Sequence, residues 1–410
     1  MKGFATKAIH GSIRKKDPHG TLRPAVYDSV AFEFADSRQI QLAFEGRKPA
    51  HAYSRITNPT VDELEQRVRL LAEAFAVVAV SSGMAAISNA ILTLTEAGTN
   101  IVTTRWIFGN TYSLFEHTLK PWGLESRYVD MTDEKALADA IDDKTRAVFL
   151  EVITNPQMQV ADIDRITAIA HERGVPVVLD GTVTTPYLFR SRDHGVDIEV
   201  ISSTKYISGG ATSMGGLILD NGLFDWKKNP KLAPYARKYG PGALIAALRH
   251  EVYRNVGACQ SPHNASLQTL GLETLSLRID KSSANALALA RWLEKQPQVK
   301  TVNYPWLESA PGYERAKRLF PRGVGGILTF DLASRDACYD FQDALHLIRR
   351  ATNINDNKSL IIHPASTIFC EFDAEQKAAM GVRETLLRLS TGIEDEEDLI
   401  EDLQRGLAAL

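Results

Sequence analysis

An α/β fold, with a mostly parallel sheet covered by helices on both faces and a smaller C-terminal α/β domain, is predicted by three features of the sequence. Short, continuously apolar segments recur between residues 77 and 219. Segments with helical spacing alternate with them. After about residue 260 the pattern changes to long helical runs with few strand-like stretches. Apolar strands that alternate with helices need crossover connections, and these give parallel pairing buried on both faces.

The elements follow in order. The first ~55 residues read as irregular, punctuated by Gly and Pro, and end in HAYSRITNP. Such an arm packs either on a neighbouring subunit or on its own chain. A helix then opens cleanly: Asn58 caps it, Pro59 suits its first turn, and Asp62 and Glu63 favour the positive dipole end. Val61, Leu64, Val68 and Leu71 mark its inner face. Strands are expected at Val77–Val80, Asn100–Thr103, Ala147–Val152, Val175–Asp180, Ile198–Ser202 and Gly216–Leu219. Ile163, Ile166 and Ile169 mark a helix that ends near Gly174. Residues 271–295 read as one long helix, followed by strands at Val299–Tyr304 and Gly326–Phe330. Leu399, Leu403 and Leu407 share one face of a last helix.

Composition removes several classes of function. Lys plus Arg is 47 against 50 Asp plus Glu, a net charge of −3 over 410 residues. A nucleic-acid binder carries a basic excess, so none is expected as a partner. Cys259, Cys338 and Cys370 are too few and too scattered for a disulfide framework or a zinc ribbon. No metal is expected. The most apolar region, Ala74 to Leu94, is interrupted by Ser81, Ser82, Gly83, Ser88 and Asn89, so no membrane span is expected. Residues 1–16 are mildly basic without the apolar run of a secretory leader, and a cytoplasmic location is the expectation.

Ligands of open parallel sheets bind at the carboxyl ends of the strands. Three such ends carry chemistry here. One ends in Asp180. One runs into Ser202-Ser203-Thr204-Lys205, then Gly209 and Gly210. One runs into Ser81-Ser82-Gly83-Met84, which opens a helix. An acid, a lysine and a hydroxyl-rich helix N-terminus facing one crevice fit pyridoxal 5'-phosphate. A lysine amine can form a Schiff base with its aldehyde, a carboxylate can keep its ring nitrogen protonated, and backbone N–H groups near Gly83 and Met84 can hold its phosphate, with Ser202 and Thr204 as further donors. Taken singly, each residue is ordinary: a solvated lysine, a turn aspartate, a common loop.

The motifs YSRITNPT at 53–60, SSGMAAI at 81–87, LDGTVTTP at 179–186, SSTKYISGG at 202–210 and LLRLSTGIED at 386–395, in this order, resemble the pyridoxal-phosphate enzymes of cysteine and methionine metabolism, the trans-sulfuration or cystathionine γ-synthase-like family. The resemblance covers essentially the whole chain. GLETLSLRID at 271–280, NINDNKSLIIHPAST at 353–367 and YPWL at 304–307 are most similar to the O-acetylhomoserine sulfhydrylases within it.

The resemblance implies the aspartate-aminotransferase-like architecture, fold type I of these enzymes. It divides the chain into a 1–55 arm on a neighbouring subunit, a 56–262 cofactor domain and a 263–410 C-terminal domain. It implies a homotetramer built from two active dimers. Lys205 would be the Schiff-base lysine and proton shuttle, and Asp180 the partner of the ring nitrogen. Ser82, Gly83, Met84, Ser202 and Thr204 would hold the phosphate, with Tyr53 and Arg55 reaching the phosphate of the neighbouring subunit's cofactor. Phe108 would stack on the ring. Asn155, Asn353 and Arg388 would bind the substrate, Arg388 as a two-pronged donor to its carboxylate.

This chain departs from the family pattern. Phe108 stands where a tyrosine is usual, and Gly181 where an asparagine is. Gly209-Gly210 replaces Gly-His, Asn355 replaces a glycine, and Ile368-Phe369 replaces Thr-His. These changes are expected to cluster around the substrate site.

The implied reaction is γ-replacement: O-acetylhomoserine plus a sulfur donor, sulfide or a carrier-bound sulfur, gives homocysteine and acetate. The alternatives are a cystathionine γ-synthase, a methionine or cystathionine γ-lyase, and a cofactor-binding module that no longer catalyses.

Overall fold

The computed structural model describes residues 3–11 and 19–410. Lys2, Arg14, Lys15 and Lys16, which make the N-terminal stretch basic, lie outside the described residues.

Among the described residues, seven strands form the first sheet. They are β1 (Ala76–Val80), β2 (Asn100–Thr103), β3 (Glu125–Tyr128), β4 (Thr145–Glu151), β5 (Val177–Asp180), β6 (Ile198–Ile201) and β7 (Gly216–Asp220). Their spatial order is β1-β7-β6-β5-β4-β2-β3. β3, β2, β4, β5 and β6 run parallel, while β7 is antiparallel to both of its neighbours.

The period of two along each strand sorts the core. Val78 and Val80, with Val178, Val200 and Ile218, face the helix Gly83–Leu94. Val77, Ala79, Leu217 and Leu219 face the helix Pro59–Ala72 on the other side. Asn58 caps that helix, accepting from Thr60 N at 2.9 Å, and all four of its expected inner residues are buried. The helix Ile163–Glu172 covers the same side through Ile163, Ile166 and Ile169, against Val148, Leu150, Val177 and Leu179.

A second sheet of five strands takes the order β10-β11-β12-β9-β8. Its strands are β8 (Thr301–Asn303), β9 (Ile327–Asp331), β10 (Arg349–Arg350), β11 (Leu360–Ile362) and β12 (Leu386–Ser390). Leu399, Leu403 and Leu407 of the last helix, Glu396–Ala408, pack on it and are all buried. One apolar cluster runs from Leu179 of the first sheet to Leu387 of the second, so both sheets share a core.

Four details differ from the sequence reading. The first ~55 residues contain helices at Phe4–His10 and Ser37–Phe44, the latter capped by Asp36, whose side chain accepts from Gln39 N. The single helix expected over 271–295 is two, Pro262–Glu273 and Leu275–Leu293, broken at Thr274. Gly271 lies against the loop that follows Lys205, and a Cβ there would collide with the Ile207 carbonyl. β3 was not expected because its four residues, Glu-Ser-Arg-Tyr, form a polar edge strand. β10, β11 and β12 were also missed. No helix among the described residues is long and apolar enough to cross a membrane.

Candidate active site

A cavity of about 420 Å³ opens at the carboxyl ends of the first sheet's strands, and the second sheet closes one side of it. Ser82, Gly83, Met84, Phe108, Asn155, Asp180, Ser202, Thr204, Lys205, Asn353 and Arg388 all line it. Eleven of the thirteen residues singled out from sequence therefore meet in one place. Tyr53 and Arg55 do not line this chain's cavity. Tyr53 is exposed on the arm, with the Arg55 guanidinium 5.4 Å from its ring centroid, and Arg55 donates to the Arg254 carbonyl.

Local structure fixes each group. Ser82 caps the helix Gly83–Leu94, its Oγ accepting from Ala85 N at 3.1 Å. The N–H groups of Gly83 and Met84, at the start of this helix, have no intrahelical acceptor and can donate to an anion. A Cβ at Gly83 would sit 2.6 Å from Ser202 Cβ, so glycine is what lets this helix end approach the end of β6. Thr182 Oγ1 accepts from Ser202 N at 2.8 Å and ties the ends of β5 and β6 together. Beyond Lys205, the fully buried Tyr206 accepts from Gly326 N at 2.8 Å, which pins the lysine loop to the segment entering β9.

The charges are arranged for work. Lys205 Nζ donates to Asn353 Oδ1 at 2.5 Å. Burial, and then the charge of Arg388, lower this amine to about 8. Asp180 accepts from Thr182 N at 2.8 Å, and burial raises its carboxyl above the usual range. Arg388, on β12, is 2% exposed. It donates to Asn155 Oδ1 at 3.2 Å and to the Thr352 carbonyl at 2.9 Å, while its Nε is buried without a partner. Among the described residues no carboxylate pairs with it, and burial lowers it to about 9. A buried guanidinium without a counterion is costly, and an anion entering the cavity would neutralise it.

Pyridoxal phosphate therefore fits the residues present: an amine of lowered basicity, an acid at the adjacent strand end, free N–H donors beside Ser202 and Thr204, and an uncompensated cation left over for a substrate carboxylate.

The departures sort differently from the expectation. Phe108 and Ile368 line the cavity, but Gly181, Gly209, Gly210, Asn355 and Phe369 do not. Gly181 faces the buried Glu199, whose carboxyl a Cβ would strike. Asn355 takes φ 56, a left-handed conformation that asparagine tolerates and glycine prefers. Phe369 is fully buried in the core.

Glu151, Asn110, Thr182 and Thr352 also line the cavity and were missed. Glu151 is the last residue of β4 and lies in register with Asp180. The strand-end rule would have found it had the strand not been carried on to Val152.

The lowered basicity of Lys205 makes a pH prediction. Capture of pyridoxal phosphate by the cofactor-free protein needs the neutral amine. Its rate should rise with pH through about 8 and then flatten, whereas an ordinary lysine would keep gaining to ~10.4. The initial growth of visible absorbance measures this. A rate still climbing tenfold per pH unit at about pH 9.5 would contradict the assignment.

The sequence profile described as "Cys/Met metabolism PLP-dependent enzyme" matches residues 5–408. The solved O-acetylhomoserine sulfhydrylase of Wolinella succinogenes is 50% identical, with a TM-score of 0.77 over 86% of this chain and 98% of that one. A putative O-acetylhomoserine (thiol)-lyase of Campylobacter jejuni is 34% identical, with a TM-score of 0.95 over 99% of this chain and 100% of that one. Its structure contains N'-pyridoxyl-lysine-5'-monophosphate. The L-methionine gamma-lyase of Pseudomonas putida is 37% identical over 100% of this chain and 98% of its own.

Proposed function

Because the chain belongs to the Cys/Met metabolism PLP-dependent enzyme family, we propose that it catalyses γ-replacement on an acylated homoserine: O-acetylhomoserine and a sulfur donor, sulfide or carrier-bound sulfur, give homocysteine and acetate. The observation that carries this reading is the cavity wall. Phe108, Ile153 and Ile368 are apolar, and among the described residues this chain's own lining contains no tyrosine, histidine or cysteine. Tyr112, the nearest tyrosine in sequence, lies behind that wall, buried against Tyr128 and Phe372.

Bound pyridoxal phosphate supplies the electron sink that makes protons on an amino acid's α- and β-carbons removable. In this reading Lys205 Nζ holds the cofactor and moves protons to and from those carbons. Its lowered basicity keeps a large neutral fraction available near pH 8. Asp180 holds the proton on the ring nitrogen. Ser82, Gly83, Met84, Ser202 and Thr204 hold the phosphate, Phe108 covers the ring, and Arg388, steadied by Asn155, holds the substrate carboxylate. Asn353 orients the Lys205 amine.

The chain divides at about residues 55 and 262, as the resemblance implies. Exposed Leu22, Val26, Tyr27 and Val30 support packing of the arm on a neighbouring subunit. Tyr53 and Arg55 then reach that subunit's phosphate, within a tetramer of two active dimers.

Leaving-group chemistry ties the wall to the substrate. A thiolate leaves more readily when a nearby acid protonates it. A carboxylate such as acetate, with the basicity of an ordinary side-chain acid at ~4, departs without help. A phenylalanine over the ring suits the second case. Elimination from methionine, the substrate named for the lyase relative, or from cystathionine is the rival reading.

The test is the ratio of kcat/KM for O-acetylhomoserine with sulfide to that for elimination from cystathionine. The wild-type ratio should exceed about 10², and Phe108→Tyr should lower it by about tenfold or more, as general-acid help is worth roughly 10²–10⁴-fold. A wild-type ratio favouring cystathionine would place the protein with the lyases.

A further inference from the structure

The cavity has a wall that a buried carboxyl helps to hold. The segment 104–108 separates it from a second cavity of about 290 Å³, lined by Thr104, Arg105 and Trp106. Arg105 and Trp106 are exposed. Ile107 anchors the segment in the core, while open space lies beside Arg105 and Trp106.

Glu151 lines both cavities. It is 6% exposed. Its Oε1 accepts from Phe108 N at 2.5 Å, and its Oε2 accepts from Asn155 N at 3.1 Å. Asn155 Oδ1 in turn accepts from Arg388 Nη1. One carboxyl thus reaches the aromatic wall through one oxygen and the Arg388 anchor through the other. Its side chain leaves β4 beside Asp180, the rigid end of the sheet.

We propose that Glu151 is a positioning residue for both halves of the site, setting Phe108 through its backbone N–H and Arg388 through Asn155. It touches neither reacting atoms nor substrate in this role. Burial, and then the neighbouring Asp180, raise its carboxyl well above the usual range, while the two N–H donors pull the other way. Those donors give this carboxyl a task that an apolar side chain of the same size could not perform.

The inference deepens the proposed function and rests on it only for the Arg388 half. Glu151→Gln keeps one acceptor and turns an NH₂ group toward the other N–H donor. The pyridoxal phosphate Kd, read from absorbance and near-ultraviolet circular dichroism of the bound cofactor, should weaken by about tenfold. KM for O-acetylhomoserine should rise by about tenfold through the second oxygen, with a smaller change in kcat.

Two double-mutant cycles separate positioning from general destabilisation. If Glu151 acts through Phe108, Glu151→Gln and Phe108→Ala will be non-additive on cofactor Kd. If it acts through Asn155, Glu151→Gln and Asn155→Ala will be non-additive on KM. Additive effects in both cycles, or an unchanged Kd and KM, overturn the proposal. Melting of the cofactor-free protein checks that the variants fold, and Glu151→Asp, which is too short to reach both donors, replaces Glu151→Gln in the same cycles if that variant does not. The cofactor cycle involves no substrate. Failure of O-acetylhomoserine as a substrate would therefore refute the functional reading while leaving this test intact.

Discussion

The Lys205→Ala protein should fold, lack the visible band of the lysine–cofactor Schiff base, and turn over O-acetylhomoserine at least about 10³-fold more slowly than wild type. The amine is proposed to act both as cofactor tether and as proton carrier, and removal of general-base help alone costs roughly 10²–10⁴-fold. The fold has little reason to suffer. Among the described residues the only hydrogen bond from Nζ goes to Asn353, and a partly buried amine of lowered basicity leaves with its desolvation cost. The measurements are the absorbance spectrum after incubation with pyridoxal phosphate, single-turnover rates and the melting temperature without cofactor. Turnover within tenfold of wild type would remove Lys205 from the mechanism.

The second large effect has opposite signs in activity and stability. Arg388 is a desolvated cation, proposed to hold the substrate carboxylate. Arg388→Met should reduce kcat/KM by about 10²–10³-fold, since loss of a buried charge-assisted pair costs roughly 2–5 kcal/mol. The same substitution should leave the cofactor-free protein as stable as wild type, or more stable by roughly 1 kcal/mol or more, because apolar replacement of poorly compensated buried charge is commonly neutral or favourable. The Thr352 carbonyl and Asn155 Oδ1 each lose a donor, which limits the gain. Steady-state kinetics and thermal melts without cofactor read the two signs. A variant that melts earlier yet keeps its KM would show that Arg388 serves the fold alone.

Much of this site is legible in the sequence alone. Asp180, Lys205 and the Ser82–Met84 turn stand at strand ends, and a strand end is visible wherever an apolar run stops at polar residues. Arg388 is legible only as part of a motif. Its strand, β12, has the sequence Leu-Leu-Arg-Leu-Ser, and a buried arginine within it breaks the pattern that announces a strand. Glu151 is hidden for a related reason. It lies within an apolar run, and only pairing across the sheet shows that the run stops beside Asp180. β10 is two arginines, too short for any periodicity. The break at Thr274 has no proline or glycine of its own to announce it.

The two sheets contribute unlike parts to the cavity. Lys205 and Asp180 belong to the first, whereas Arg388 projects from a central strand of the second. A substrate whose carboxylate rests on Arg388 while its amine lies near Lys205 is therefore a strut spanning both sheets. In the proposed reading its length would act as a ruler, set by the α-amino acid portion common to every candidate substrate. A shift between the sheets would then be felt by all of them alike.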